Sequence, residues 1–255
     1  MRKGLKLEKK VYSDSTLRLT NQLALSADVA CMSGGGIGQI CNLIPLDTDT
    51  HEQVIINAGT NELKTESDKE FVFEINAAAQ KLQNLSTSVP VTLVLPPGND
   101  HVPVIAGRSE YMREIFSKVE TLTVVQLHDI EHDESCHPTE RGTHAILDQV
   151  HDVTKIIMDN CQDDTTLPVK YRQVQPVFKS GCRGCDCLDF TPTLCPTCKQ
   201  NADSVDTTTL TGMIDKYMSL LYPPMDIELS SAKDGNKRPA DDNDHDLVSK
   251  IVKTN

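Results

Sequence analysis

Val54-Ile55-Ile56-Asn57-Ala58-Gly59-Thr60-Asn61-Glu62-Leu63 is the stretch whose reading decides the fold. Three consecutive β-branched residues run into a glycine, then into polar residues able to open a helix. In a chain of 255 residues this pattern reads as a buried central strand of a parallel sheet ending in a tight turn. Open α/β sheets gather ligands and catalytic groups at the carboxyl ends of their strands. Asn61 therefore arrives where chemistry is expected, as an amide donor able to hold a developing oxyanion. It serves equally well as a turn residue or a helix cap.

Working outward, the chain alternates strand and helix. Lys10 to Ser13 reads as a short strand ending at Ser13-Asp14-Ser15, with a helix through roughly Leu23. Ala27 to Cys31 reads as a second strand, closed by Ser33-Gly34-Gly35-Gly36. That glycine run matches neither dinucleotide nor P-loop spacing, so it is not read as a phosphate cradle. Phe71, Ile75, Ala78, Ala79 and Leu82 give a helix over 67–85, started by Ser67. A strand over 89–95 follows, then a helix near 109–120 and a strand over 122–127. A last helix opens near Pro138-Thr139-Glu140. The sum is a doubly wound α/β domain with a mostly parallel sheet over residues 1–158. Periodicity fades around 162–176. A helix is predicted over 207–224, and a disordered acidic and polar tail over 229–255.

Composition bounds the function. A net charge of −12 argues against a broad nucleic-acid surface, and no apolar run reaches membrane-spanning length. The charged N-terminus lacks the apolar stretch of a secretory signal. Nine cysteines, an odd count, favour reduced thiols and a metal site over a disulfide framework. An intracellular location, cytoplasmic or nuclear, is the expectation.

Four polar elements sit at turns after strands: Ser15, the Gly34 cluster, Asn61 and His137. A serine hydrolase needs a hydroxyl nucleophile, an imidazole base and oxyanion donors. Each residue alone reads more readily as a cap, a turn or a surface loop residue. Their order and matching positions favour the joint reading. These four blocks resemble those of the SGNH (GDSL-type) hydrolases. Ser13-Asp14-Ser15 resembles the Gly-Asp-Ser block, Ser33 to Gly36 the block with the oxyanion glycine, and Gly59-Thr60-Asn61-Glu62 the Gly-x-Asn-Asp block. Asp133 to Gly142 resembles the segment carrying the catalytic acid and histidine. The wording is most similar to esterase-like domains of LINE-type retrotransposons and related mobile elements, some of which add zinc modules.

The resemblance implies a three-layer SGNH/flavodoxin-like sandwich and an ester hydrolase acting through an acyl-Ser15 intermediate. His137 would be the base, oriented by Glu134 or Asp133, with Gly34 and Asn61 serving the oxyanion hole. Which glycine of 34–36 serves it stays open, as does the choice of acid. Glu134 stands where the family places aspartate, and Glu62 replaces the aspartate after Asn61. The implied substrate is a small-molecule, lipid or carbohydrate ester, with an acetyl ester as one candidate.

Cys182-Arg183-Gly184-Cys185-Asp186-Cys187 and Cys195-Pro196-Thr197-Cys198 place two CxxC pairs around a short loop. Each pair reads as a knuckle, and four soft ligands complete a tetrahedral zinc shell. The chosen ligands are Cys182, Cys185, Cys195 and Cys198, with Cys187 an alternative to Cys185. Four thiolates close the shell, so the zinc module over 177–202 should be structural, with a protein-binding role open to it. The rival to the esterase is a catalytically degenerate binding or assembly protein of the same fold, acting through that module.

Overall fold

The computed structural model describes residues 8–17, 24–25, 27–44, 51–99, 101–133, 137–155, 158–159, 171–174, 182–185 and 194–223. Residues 1–223 group into one compact unit and 224–255 into another. The second unit, including the expected tail, lies outside the described residues, as do Glu134 and Cys187.

The strand read from Val54-Ile55-Ile56 is β4 (His51–Asn57), an inner strand of a six-stranded sheet. Its companions are β1 (Glu8–Ser13), β3 (Asp28–Met32), β5 (Val91–Leu95), β6 (Leu122–Gln126) and β8 (Tyr171–Val174). The order is β6-β5-β4-β1-β3-β8, and every pairing is parallel. Two short strands, β2 (Ala24–Leu25) and β7 (Met158–Asp159), form a separate antiparallel pair. The chain leaves β1 first to one side, at β3, and then to the other, at β4. Such a reversal is the switch point where α/β sheets bind their ligands.

Alternation along the strands divides the core. Tyr12, Ile56 and Leu93 lie side by side across β1, β4 and β5 on one face. That face is covered by α1 (Ile37–Cys41), α3 (Asp68–Ser86) and α4 (Pro103–Ser117). Val11, Ile55 and Val94 point the other way, towards Ile146 and Val150 of α5 (Glu140–Thr154). Helices on both faces make the three-layer sandwich expected of a doubly wound chain. Phe71, Ile75 and Leu82 of α3 are fully buried. At roughly 1.5–3 kcal/mol per buried large side chain, packing rather than propensity holds this helix. Ser67 caps it by accepting the Glu70 amide.

Several elements differ from their sequence reading, and two of them bear on packing. Helix α4 begins at Pro103, not near 109, because Pro at N1 is pre-set for a helix start. Gly107, which lowers helix propensity, sits inside it for a packing reason. A Cβ there would stand 2.6 Å from Ile214 Cγ1, so its absence admits α7 (Thr208–Leu221). The other is β8, where the fading periodicity gave no strand. Among the described residues no helix is long and apolar enough to cross a membrane.

Candidate active site and metal centre

Ser15 comes just after Asp14, the residue that follows the last residue of β1. The Asp14 amide donates to Asn57 O at 3.0 Å, carrying the chain out level with β4. Asp14 Oδ1 accepts the Thr16 amide at 2.8 Å, so Asp14 caps the single 3₁₀ turn over 15–17. The Ser15 hydroxyl is thereby left for another partner: its Oγ lies 3.0 Å from His137 Nε2. As first residue of the turn, Ser15 has no acceptor for its own amide within that turn. Asp14 is wholly buried, and burial raises its pKa while bonds to Thr16 and Thr60 oppose the rise.

A tight loop delivers His137. His132 and Pro138 form an antiparallel bridge, and the Asp133 amide donates to His137 O at 2.7 Å. Asp133 Oδ1 accepts the His137 amide at 3.0 Å. The loop is pinned to the start of α5, where Thr139 caps the helix by accepting the Gly142 amide. For Nε2 to accept the Ser15 proton, the ring must carry its own proton on Nδ1.

The glycine loop, which follows β3, and Asn61, which follows β4, meet each other. Gly34 has φ +74°, and the Gly35 amide closes a turn onto Met32 O at 3.2 Å. The Gly36 amide donates to Gln39 Oε1 at 3.0 Å. Two of the three glycine amides are therefore engaged in building the loop. Asn61 Nδ2 donates to Gly35 O at 2.8 Å. Asn61 is not the cap of α2 (Thr60–Leu63), whose N-cap is Gly59. Gly59 is obligatory: its φ is +127°, and a Cβ would stand 2.7 Å from Met112 Cε and 2.8 Å from Pro96 Cδ.

Glu62 does more than shape its turn. It is 1% exposed and accepts the Ile37 amide at the start of α1 at 2.5 Å. Burial raises its pKa, and the nearby Arg183 guanidinium opposes this. Asn57 is a buried residue that the sequence reading missed. Its amide donates to Ser13 Oγ at 3.1 Å and to Thr16 Oγ1, tying the ends of β1 and β4 together. A buried amide at a strand end needs partners, and that need was the available signal. Beside the Ser15 turn lies a depression of about 270 Å³ including its open mouth, lined by Thr16, Thr60, Pro96, Ile130 and Pro138 among others. A wider polar cleft, sharing Pro97 with it, is lined by Arg113, Gln126, His128 and Asp129 among others.

Cys182, Cys185, Cys195 and Cys198 bring their Sγ atoms within 4.8 Å of one another. The Cys185–Cys195 separation is 3.9 Å, close to the ~3.8 Å edge of a tetrahedron with 2.3 Å metal–sulfur bonds. Burial raises the Cys182 pKa, and the amides of Cys195 and Gly184, donating to its Sγ at 3.1 and 3.3 Å, oppose the rise. Burial first, then the neighbouring thiols, pushes the Cys198 pKa up, so a cation is what would let all four ionise. The set can hold a metal ion such as zinc. α6 (Pro196–Ala202) carries Cys198, and a Cβ on Gly184 would run into the Phe73 ring of α3.

No family model matches the chain, and no curated protein sequence matches it. Among solved structures, one similar fold is a GDSL-like lipase from Bacteroides thetaiotaomicron. It is 14% identical, with a TM-score of 0.40 over 58% of this chain and 88% of that one. Another is a carbohydrate esterase family 3 from Talaromyces cellulolyticus. It is 12% identical, with a TM-score of 0.39 over 57% of this chain and 95% of that one.

Proposed function

We propose that this chain is a serine esterase of SGNH type. The observation that carries the reading is the 3.0 Å approach of Ser15 Oγ to His137 Nε2 at the carboxyl end of β1. Ser15 Oγ attacks the ester carbonyl carbon while its proton passes to Nε2. The tetrahedral oxyanion is met by the Ser15 amide, the Gly34 amide and the second Asn61 amide hydrogen. Gly34 is the choice because Gly35 and Gly36 donate elsewhere. One Asn61 hydrogen on Gly35 O fixes the amide plane, and the other is then available. Collapse expels the alcohol, protonated by the imidazolium. Water, deprotonated by His137, then attacks the acyl-serine and releases the acid. Glu134, at the position the family resemblance assigns to the acid, or Asp133 orients the imidazole.

The small depression suits a short acyl group such as acetyl, and the polar cleft beside it suits a hydroxyl-rich alcohol such as a carbohydrate. Zinc is the proposed ion of the Cys182, Cys185, Cys195 and Cys198 set, with a structural role. A reducing, intracellular compartment would keep those thiolates available. The test is turnover of a nitrophenyl acetate by the wild type, Ser15→Ala and His137→Ala. Weak hydrolysis in the wild type and its loss in both variants is the expected result. Absence of turnover with any short ester in clean wild-type protein would favour the non-catalytic binding role.

A further inference from the structure

The knuckle between Cys182 and Cys185 does not stand apart from the active-site loop. Arg183 turns inward from it and is only 9% exposed, beside two carboxylates, Glu62 and Glu74, that are 1% and 2% exposed. Its Nη1 is 3.6 Å from Glu74 Oε2, and its Nη2 donates to Gly34 O at 3.5 Å. Its charge acts on Glu62 as well as Glu74. A Cβ on Gly36 would stand 3.2 Å from Arg183 Cδ, and one on Gly38 would stand 2.5 Å from Arg183 O. The loop from Gly34 to Ile37 is thus held at three successive points. Arg183 takes the Gly34 carbonyl, Asn61 the Gly35 carbonyl, and Glu62 the Ile37 amide. Lys81 adds a clamp by donating to Gly38 O at 3.3 Å and Cys185 O at 3.5 Å.

We infer that the four-cysteine knuckle is a metal-dependent brace for the oxyanion loop, with Arg183 as the positioning residue that transmits it. A soft divalent cation bound by the four thiolates fixes the turn from Cys182 to Cys185, and that turn aims Arg183. Without the cation, the turn has lost its clamp and two buried carboxylates have lost a fixed counter-charge. Both changes loosen the peptide that carries the Gly34 amide. The metal touches no substrate. Its effect on catalysis rests on the esterase reading, whereas its effect on the loop does not.

The experiment is hydrogen exchange of the segment 34–41 in the full chain, metal-loaded and chelator-treated, alongside Arg183→Met and Arg183→Lys. Metal content is measured for each sample. Chelation and Arg183→Met should each raise exchange in 34–41 by roughly tenfold or more, with Arg183→Met retaining its metal and Arg183→Lys restoring part of the protection. In the same samples, kcat for a nitrophenyl ester should fall roughly tenfold while KM stays within about twofold, as expected when a transition-state donor is displaced. The chelation arm uses the wild-type chain and so reads out even if the methionine variant does not fold. Exchange in 34–41 that is unchanged by chelation overturns the brace, even in an active enzyme. An inactive wild type whose loop still responds to metal supports the brace and defeats the esterase reading.

Discussion

Glu74 offers a quantitative test of how the core beside the loop from Gly34 to Ile37 is charged. Its carboxyl is buried against Arg183, and burial raises its pKa from 4.5 to about 7, with Arg183 opposing the rise. A carboxyl with a raised folded-state pKa binds more protons folded than unfolded between the two values. Unfolding free energy therefore falls as pH rises through that window, by a total on the order of 3 kcal/mol. Between about pH 6 and about pH 8, the same two values give a loss of roughly 1 kcal/mol. Glu74→Gln removes this titration. Urea unfolding of both proteins at the two pH values should show the variant gaining roughly 1 kcal/mol relative to wild type as pH rises. The absolute offset between them reflects the lost Arg183 contact and is not the test. A stability difference that stays flat across the range would refute a buried, proton-binding Glu74.

Three further outcomes are expected. Gly59→Ala should cost about 1–3 kcal/mol in chemical denaturation, because φ +127° and contacts with Met112 and Pro96 leave no room for a Cβ; a midpoint equal to wild type would contradict the turn geometry. Elemental analysis should find about one zinc per chain, lost in Cys195→Ser/Cys198→Ser while far-UV circular dichroism of the α/β domain persists; metal retained in that variant would remove those two cysteines from the ligand set. Glu134→Gln should lower kcat more than Asp133→Asn if Glu134 orients the imidazole, and the opposite ranking would assign that role to Asp133.

The fold was legible wherever one periodicity dominated. Val54-Ile55-Ile56 has the apolar run of a two-sided buried strand, and Phe71, Ile75 and Leu82 have the spacing of a helix face. The start of α4 was not legible, since Pro103 and Gly107 both read locally as breakers. Only contact with α7 explains the glycine. β8 escaped because four mixed residues at a sheet edge carry no period, and only pairing with β3 makes them a strand. In the site, Ser15 was readable as cap or nucleophile. In the structure Asp14 caps the turn and the Ser15 hydroxyl faces His137 Nε2. Asn61 likewise leaves the cap to Gly59 and holds Gly35 instead. Nothing local marked Glu62, Glu74 and Arg183 as neighbours. Arg183 is far along the chain from the two glutamates, and the burial that makes all three matter is a tertiary property.

Reaction with a serine-directed phosphonate, followed by peptide mass mapping, tests the esterase reading most directly. One adduct per chain is expected, on Ser15, absent from Ser15→Ala and sharply reduced in His137→Ala because the hydroxyl then has no base. A wild-type chain that stays unmodified, or that carries its adduct on a different residue, would contradict Ser15 as the nucleophile.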